Sequence, residues 1–458
     1  MKFKVLVLLF CCLLSGCGFF LKSSLQEPKF ELPSRWDVNN PSITSFNSLK
    51  TINSTEWWSS FGDTQLNSLI NEAIKNNTDL AVAGYNIQQA ALHSDLIDTN
   101  LTPNVTSSLS GSSSRLLDRE SSSVRTYQSS TSMSYEVDLW GKLARARDLA
   151  WWEYNATIYD RMAIRLSIIS GVADAYWTIG QLNSQIANVK LDIVSAEKQA
   201  YLADVIYSSG SSSYSDLALS KTNLYSLNEN LHELLSQRET QRKYLNILLA
   251  RMVTIGEIAK FNLNNSNSFN HFPPLPVKVL INRPDVAAAE ARVRKSLANY
   301  DLTKGSIFPS ITLNGSITTT GATLRNILKN PSGMLGLGID LPFLQFNTVM
   351  LNVNISKSEY ESSLMTYKKS WYQALSEVNE SFNAQINLNE QYMLSLKQIE
   401  EAKRAVSISR LVYRAGKGTL RDLLNDETSL RQVMSNSLIL KNQLLQSNMG
   451  LFVSTGGA

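Results

Sequence analysis

The chain has 458 residues, 43% hydrophobic and 9% aromatic, with 43 Lys and Arg against 39 Asp and Glu and a formal net charge of +4 at pH 7. That apolar fraction excludes a disordered chain, since enough surface can be buried to offset the entropy of ordering. The basic residues form no block and nowhere interleave with aromatics as a nucleic-acid groove requires, so nucleic acid is excluded as a partner.

Met1-Lys2-Phe3-Lys4 is a basic start, Val5 to Leu14 an apolar run, and Leu14-Ser15-Gly16-Cys17 places small residues before a cysteine. An apolar run of about ten residues is too short for a permanent membrane helix and reads as an export signal. One reading is an ordinary signal peptide with an incidental cysteine. The other is the bacterial lipobox, which these residues resemble. The lipobox reading makes residues 1–16 the signal and Cys17 the new N-terminus, carrying S-diacylglycerol and N-palmitoyl groups, with no other cofactor. Cys11 and Cys12 leave with the signal, so no disulfide can form within the mature chain. Each buried acyl methylene contributes about 0.8 kcal/mol, and several chains on one cysteine anchor durably. Resemblance to sorted lipoproteins implies the outer membrane, because Gly18 rather than Asp follows the cysteine.

Residues 17–60 carry Pro28, Pro33 and Pro41 among Ser and Asn and read as an acylated tether. Beyond it the same signals occur twice, 206 residues apart: Asp79 and Asp285, Pro103 and Pro309, Thr106 and Thr312, Tyr207 and Tyr413, Gly210 and Gly416, Asp216-Leu217 and Asp422-Leu423. That period is far too long for a solenoid. It marks two copies, residues 61–255 and 276–458, joined by a linker at 256–275.

From Asp63 a helical pattern sets Leu66, Leu69, Ile70, Ala73 and Ile74 on one face. A helix is predicted over Asp79 to Asp98 and its counterpart over Pro284 to Thr303, where Pro284 suits the first turn and Asp285 the positive end of the dipole. Strand pairs follow. Tyr127, Ser129, Thr131, Met133, Tyr135, Val137 and Leu139 alternate with an entirely polar set, and Ile311, Leu313, Ile317 and Leu335, Leu337, Ile339, Leu341 repeat the alternation. The serine-rich segment from Val105 to Ser114 is the partner strand. A half-buried soluble sheet shows the same period two, but with an export signal the pattern fits a transmembrane barrel, apolar outside and polar inside. Four strands cannot close a barrel, so closure demands more than one chain.

After each strand pair comes a long helix, Leu143 to Ser209 and Thr348 to Ala415, each about 100 Å at 1.5 Å per residue. The first carries a heptad, Ile179, Ile186, Ile193, Ala200 with Leu182, Val189, Ala196, Ala203, and Leu217, Leu224, Leu231, with Leu227 and Leu234, continue it beyond the Gly210 turn. An antiparallel coiled coil follows. His93, His232 and His271 are isolated, and no nucleophile elbow, phosphate loop or HExxH helix occurs, so neither a metal site nor an enzyme is expected.

Together these features resemble the TolC-like outer membrane factors of efflux systems, and within them the lipid-anchored NodT type that serves resistance-nodulation-division pumps. The residues that carry the likeness are Asp63-Thr64-Gln65-Leu66, Asn77-Thr78-Asp79-Leu80, Tyr135-Glu136-Val137-Asp138-Leu139-Trp140-Gly141-Lys142, Arg283-Pro284-Asp285-Val286, Phe308-Pro309-Ser310-Ile311 and Tyr413-Arg414-Ala415-Gly416. The resemblance implies a mainly α chain with transmembrane β: a homotrimer whose twelve-stranded outer-membrane barrel, four strands per chain, continues as an α-helical periplasmic tunnel. It implies a passive exit duct for drugs or toxic compounds, with a periplasmic adaptor and an inner-membrane pump as partners. Ducts for type I secretion or metal export share the pattern, and an acylated coiled-coil docking lipoprotein without a pore is the reading from another class.

The resemblance also implies a gate at the periplasmic tip formed by Tyr207, Asp216, Tyr413 and Asp422 beside the turns at Gly210 and Gly416. Three positions depart from the family pattern: Gly418 replaces a basic residue, Asn425 a second acid, and Leu344-Gln345-Phe346-Asn347 a glycine-containing turn. Asp216 and Asp422 equally suit helix caps, and the two roles are compatible. Lys417, Arg414 and Arg421 are the bases near Asp422.

Overall fold

The computed structural model describes residues 22–25, 56–115, 122–252, 261, 263, 280 and 283–457. Cys17, the signal, most of the tether and nearly all of the 256–275 linker lie outside these residues. Helix α1 (Thr64–Asn76) precedes two equivalent runs. The first is α2 (Thr78–Asp98), β1 (Asn104–Ser114), β2 (Val124–Val137), α3 (Lys142–Ser208) and α4 (Tyr214–Leu248). The second is α5 (Pro284–Gly305), β3 (Ser310–Gly321), β4 (Ser332–Asp340), α6 (Phe346–Arg414) and α7 (Leu420–Ser454). The chain divides into two compact units, and α3 and α6 each contribute to both.

The first unit holds the sheet, antiparallel in the order β1-β2-β3-β4. Its register sets Tyr135 opposite Leu313 and Leu313 opposite Leu337, so Val105, Met133, Tyr135, Ile311, Leu313, Leu335, Leu337 and Ile339 share one face. The predicted alternation therefore becomes an apolar band across all four strands, with the Ser107–Thr131 hydroxyl pair at 3.0 Å on the same face. The other face is bound across strands by hydroxyls: Thr106 with Ser132 at 2.8 Å, Ser130 with Thr318 at 3.3 Å, and Ser134 donating to the Asn314 side-chain oxygen at 2.9 Å. Met334, opposite Ser316, and Val124, opposite Ser114, are apolar residues on that face.

Each strand pair hands over to its long helix differently. After β2, Gly141 takes a left-handed φ of 75° and Asp138 accepts the orphan N–H groups of Leu143 (3.1 Å) and Ala144 (2.9 Å). Trp140 stacks on Phe308 at 4.9 Å and donates to the Pro309 carbonyl at 2.8 Å. After β4 there is no such glycine. A 3-10 turn over Pro342–Gln345 does the work instead, and α6 starts at Phe346, two residues before the predicted Thr348.

In the second unit the predicted seam forms: Leu182, Ile186, Val189, Ile193 and Ala196 of α3 pack with Leu227 and Leu234 of α4. Ile179, expected to begin that seam, joins a larger cluster that includes Trp57, Trp58, Ile70, Tyr176, Trp177 and Phe452. Asp63 ties α1 to it. Its carboxylate caps α1 through Gln65 (2.9 Å) and Leu66 (3.0 Å), and also accepts the Tyr176 hydroxyl at 2.9 Å.

The duplication extends to the way helices end. The buried Asn77 amide donates to the Leu248 carbonyl at 2.9 Å, the C-terminal end of α4. At the equivalent place the buried Arg283 donates to the Ser454 carbonyl at 2.8 Å, the end of α7. Different side chains thus satisfy the same orphan acceptor. Asn77 also caps α2 by accepting from Asp79 (2.8 Å) and Leu80 (3.2 Å). Beyond α4, Ala250 has φ 52°, and beyond α7 its counterpart Gly456 has φ 86°. Both close the same paired turn, in which residues 250 and 251 bond back to Ile247 and Asn246, and residues 456 and 457 to Val453 and Phe452.

Opposite outcomes follow from this comparison. Asn77→Ala strands a buried carbonyl and two helix-start donors and should cost about 1–3 kcal/mol. Ala250→Gly relieves a left-handed alanine and should stabilise by about 1 kcal/mol. Hydrogen exchange at the C-terminal turn of α4 checks both: faster in the first variant, slower in the second.

Candidate functional site: the turns at Gly210 and Gly416

Both turns of the helical coils lie in the second unit and are built alike. Gly210 (φ 75°) and Gly416 (φ 72°) occupy the left-handed position that ends a helix, where a Cβ would be strained. The Gly210 N–H donates to the Tyr207 carbonyl at 2.9 Å and the Ser211 N–H to Ile206 at 3.0 Å. The Gly416 N–H donates to Tyr413 at 3.0 Å and the Lys417 N–H to Val412 at 3.1 Å. These are the two bonds of a Schellman ending, so the backbones of Tyr207 and Tyr413 are committed to the turn while their rings remain available. Tyr207 stands edge-on to Tyr214 at 5.7 Å and is 41% exposed; Tyr413 is half-buried.

The aspartates come one turn later. Helix α7 starts with a complete capping box: the Thr419 hydroxyl accepts the Asp422 N–H at 3.1 Å, and the Asp422 carboxylate accepts the Thr419 N–H at 3.3 Å and its hydroxyl at 2.6 Å. Helix α4 repeats this in reduced form, with Ser213 donating its hydroxyl to Asp216 at 3.2 Å. The caps proper are Thr419 and Ser213, and the aspartates are their partners in the third helical position. Asp422 and Asn425 are exposed, Asp216 half-buried. Among the described residues no hydrogen bond joins the Tyr413–Asp422 turn to the Tyr207–Asp216 turn. Gly418 is tightly placed, since a Cβ there would meet the Val412 side chain at 3.0 Å.

About one helical turn further from Asp422 is a cluster that sequence reasoning missed. Glu427 of α7, 8% exposed, accepts from Arg410 of α6 at 2.8 Å and from Gln199 of α3 at 3.0 Å, tying three helices. Asp426 accepts the Ser409 hydroxyl, and Arg431 donates to the Asn223 side chain of α4 at 3.3 Å. A polar cavity of about 500 Å³ lies beside them, lined by Asn188, Asp192, Asn223, Arg431 and Ser435 among others. Burial raises the pKa of Asp192, with the charge of Glu427 adding to the rise and Arg431 opposing it. The signal that could have revealed the caps was present: Thr419-Leu420-Arg421-Asp422 and Ser213-Tyr214-Ser215-Asp216 both fit the capping-box pattern. The Glu427 ties had no such local pattern.

No three His, Cys, Asp or Glu converge as a metal site among the described residues, and no described helix is long and apolar enough to cross a membrane. The family model for outer membrane efflux proteins matches residues 69–251 and again 275–457. The chain belongs to the outer membrane efflux protein family. Toxin and drug export protein A of Aggregatibacter actinomycetemcomitans is 29% identical, over 97% of this chain and 95% of that one. The pyoverdine export outer membrane protein OpmQ of Pseudomonas aeruginosa is 26% identical over 100% and 97%. The crystal structure of the Campylobacter jejuni CmeC outer membrane channel superposes with a TM-score of 0.83 at 22% identity, covering 95% of this chain and 94% of that one. The fold is that of TolC-like outer membrane channels. Outer membrane efflux proteins export compounds across the outer membrane, and this chain is such a protein.

Thr419→Ala removes the acceptor for the Asp422 N–H and should destabilise the start of α7 by about 1 kcal/mol. Hydrogen exchange at Asp422 and Leu423 should quicken, while the Gly416 and Lys417 amides, held by the preceding helix, keep their rates.

Proposed function

We propose that three copies of this chain form a closed outer-membrane duct, anchored through an acylated Cys17, that a periplasmic adaptor and an inner-membrane pump engage at the Gly210 and Gly416 turns. The observation that carries this reading is a four-stranded sheet with an apolar band across one face and two unpaired edges, β1 and β4. In hydrocarbon each unsatisfied backbone group costs several kcal/mol, so the edge of β1 must find the β4 edge of another copy. Three such sheets give twelve strands, within the range in which bacterial barrels close.

The helices flanking those edges support the same joining. Helix α2 leads into β1, and α6 leaves β4. Pairing β1 with a neighbour's β4 therefore brings α2 beside the neighbour's α6. Tyr85, Leu92 and Leu96 of α2 are exposed, and a groove of about 790 Å³ between α5 and α6 is lined by Ala289, Arg292, Leu351 and Ile355. An exposed apolar stripe and an apolar groove are matched in chemistry. The polar sheet face becomes the lumen, which moves solutes by diffusion, and the inner-membrane pump selects the cargo. The differing cargoes in the names of the two relatives accord with a duct that does not choose.

At the tip, threefold symmetry makes Asp422 a ring of three carboxylates. At about 6 Å and an effective dielectric of 20 to 80, each pair repels by roughly 1–3 kcal/mol. Such a ring concentrates cations and resists tight closure. Tyr207, Asp216, Tyr413 and Asn425 narrow the same passage.

The mass of the detergent-extracted particle tests the duct: three chains and conductance in a planar bilayer are expected, and a water-soluble monomer without conductance overturns it. Asp422→Ala should raise single-channel conductance and weaken block by multivalent cations, whereas Thr419→Ala should leave both unchanged. Equal effects of the two variants reduce Asp422 to a helix-cap partner. The N-terminal peptide should have the mass of Cys17 with a diacylglyceryl and an acyl group, and an unmodified Cys17 removes the anchor.

A further inference from the structure

Asp301 lies in the last turns of α5 with 2% of its surface exposed. A carboxylate buried that deeply needs partners, and it finds them at the other end of the chain. The Ser23 N–H donates to Oδ2 at 2.8 Å and the Ser23 hydroxyl to Oδ1 at 2.6 Å. Lys304 completes the arrangement, its Nζ 3.5 Å from Asp301 Oδ1, donating to the Ser23 hydroxyl at 3.0 Å and lying 4.7 Å from the Tyr300 ring centre. Leu25 then packs against the cluster of Val293, Leu297 and Tyr360.

The duplication supplies an internal control. At the position equivalent to Asp301 the first copy has Asp95, which is exposed, and Asp98 stands where the second has Lys304. The base that neutralises the buried acid is thus an acid in α2. Of the two equivalent helices, α5 carries the acid and base that receive the segment.

We propose that α5 is a docking site for the mature N-terminal segment, in which Asp301 and Lys304 hold Ser23, the Val293–Tyr360 cluster holds Leu25, and the clip restricts where the lipid anchor enters the membrane. Ser23 is six positions after Cys17, a reach of about 21 Å at full extension. Asp301 precedes β3, which starts at Ser310, by only a short stretch of chain. The acyl groups are thereby kept near the membrane border where that chain's own β3 begins. An unclipped tether of 17–60 would leave them free to range much further. The inference goes beyond the duct reading but rests on Cys17 being acylated, and the mass of the N-terminal peptide reports that separately.

The test uses the full, acylated particle with Lys22→Cys spin-labelled; the acylated Cys17 offers no competing thiol. The label should be immobilised in this background. Asp301→Ala should shorten its correlation time on the order of threefold, as for a segment released to nanosecond motion, and Asp95→Ala should leave it unchanged. Because Asp301→Ala could disturb α5 itself, Ser23→Pro, which removes the donor N–H and hydroxyl from the tether side, should release the label equally. A label already mobile before either substitution, or one still immobilised in both Asp301→Ala and Ser23→Pro, overturns the proposal.

Discussion

A peptide group that has left water must be hydrogen-bonded to something, and in hydrocarbon the only available partners are other peptide groups. This constraint acts on the chain at its sheet. Strands β2 and β3 satisfy each other and their neighbours, but β1 and β4 each present a bare edge, and both lie on a sheet with a band of Leu, Ile, Val and Met across one face. Such an edge in water would invite aggregation. On the proposed duct reading it becomes an instruction for assembly, since another copy carries a complementary edge. The serine and threonine ladder on the opposite face then serves the lumen, where hydroxyls can bond to each other or to water at little cost.

The same accounting governs the helices. Each coil ends in four carbonyls without intrahelical partners, and the chain meets this in both copies with left-handed turns at Gly210, Ala250, Gly416 and Gly456. Where the end is buried, a side chain is added, Asn77 in one copy and Arg283 in the other. The two copies solve one geometric problem with unlike chemistry. Duplication preserves the backbone requirement and leaves the side chain free to change, and in the same way Asp301 and Lys304 hold Ser23 where the first copy has the exposed Asp95 and Asp98.

The turns at Gly210 and Gly416 are a pair of economical helix reversals. Tyr207 and Tyr413 contribute carbonyls to the turn and rings to the surroundings; Asp216 and Asp422 brace the returning helix and carry charge. Asp422 is constrained twice, by its helix and by Thr419, although its charge is exposed. Above it, Glu427 joins α3, α6 and α7 through charged hydrogen bonds in a largely buried setting, where such bonds are stronger than at the surface.

Much of this was legible in the residues themselves. Period two over Tyr127 to Val137, the heptad through Ile186 and Ile193, glycines at helix ends and Ser or Thr three residues before Asp are signals carried by positions a few residues apart, and backbone sterics and side-chain periodicity read them directly. What only the tertiary structure decided were pairings across long stretches of chain: Asn77 with Leu248, 171 residues away, Gln199 with Glu427, and Ser23 with Asp301, 278 residues away. No local rule selects such partners, because they meet only after packing has brought distant elements together, and a buried polar group then takes whichever donor or acceptor lies within reach. For the same reason Ile179 fits the heptad by spacing yet packs elsewhere, in the cluster with Trp177.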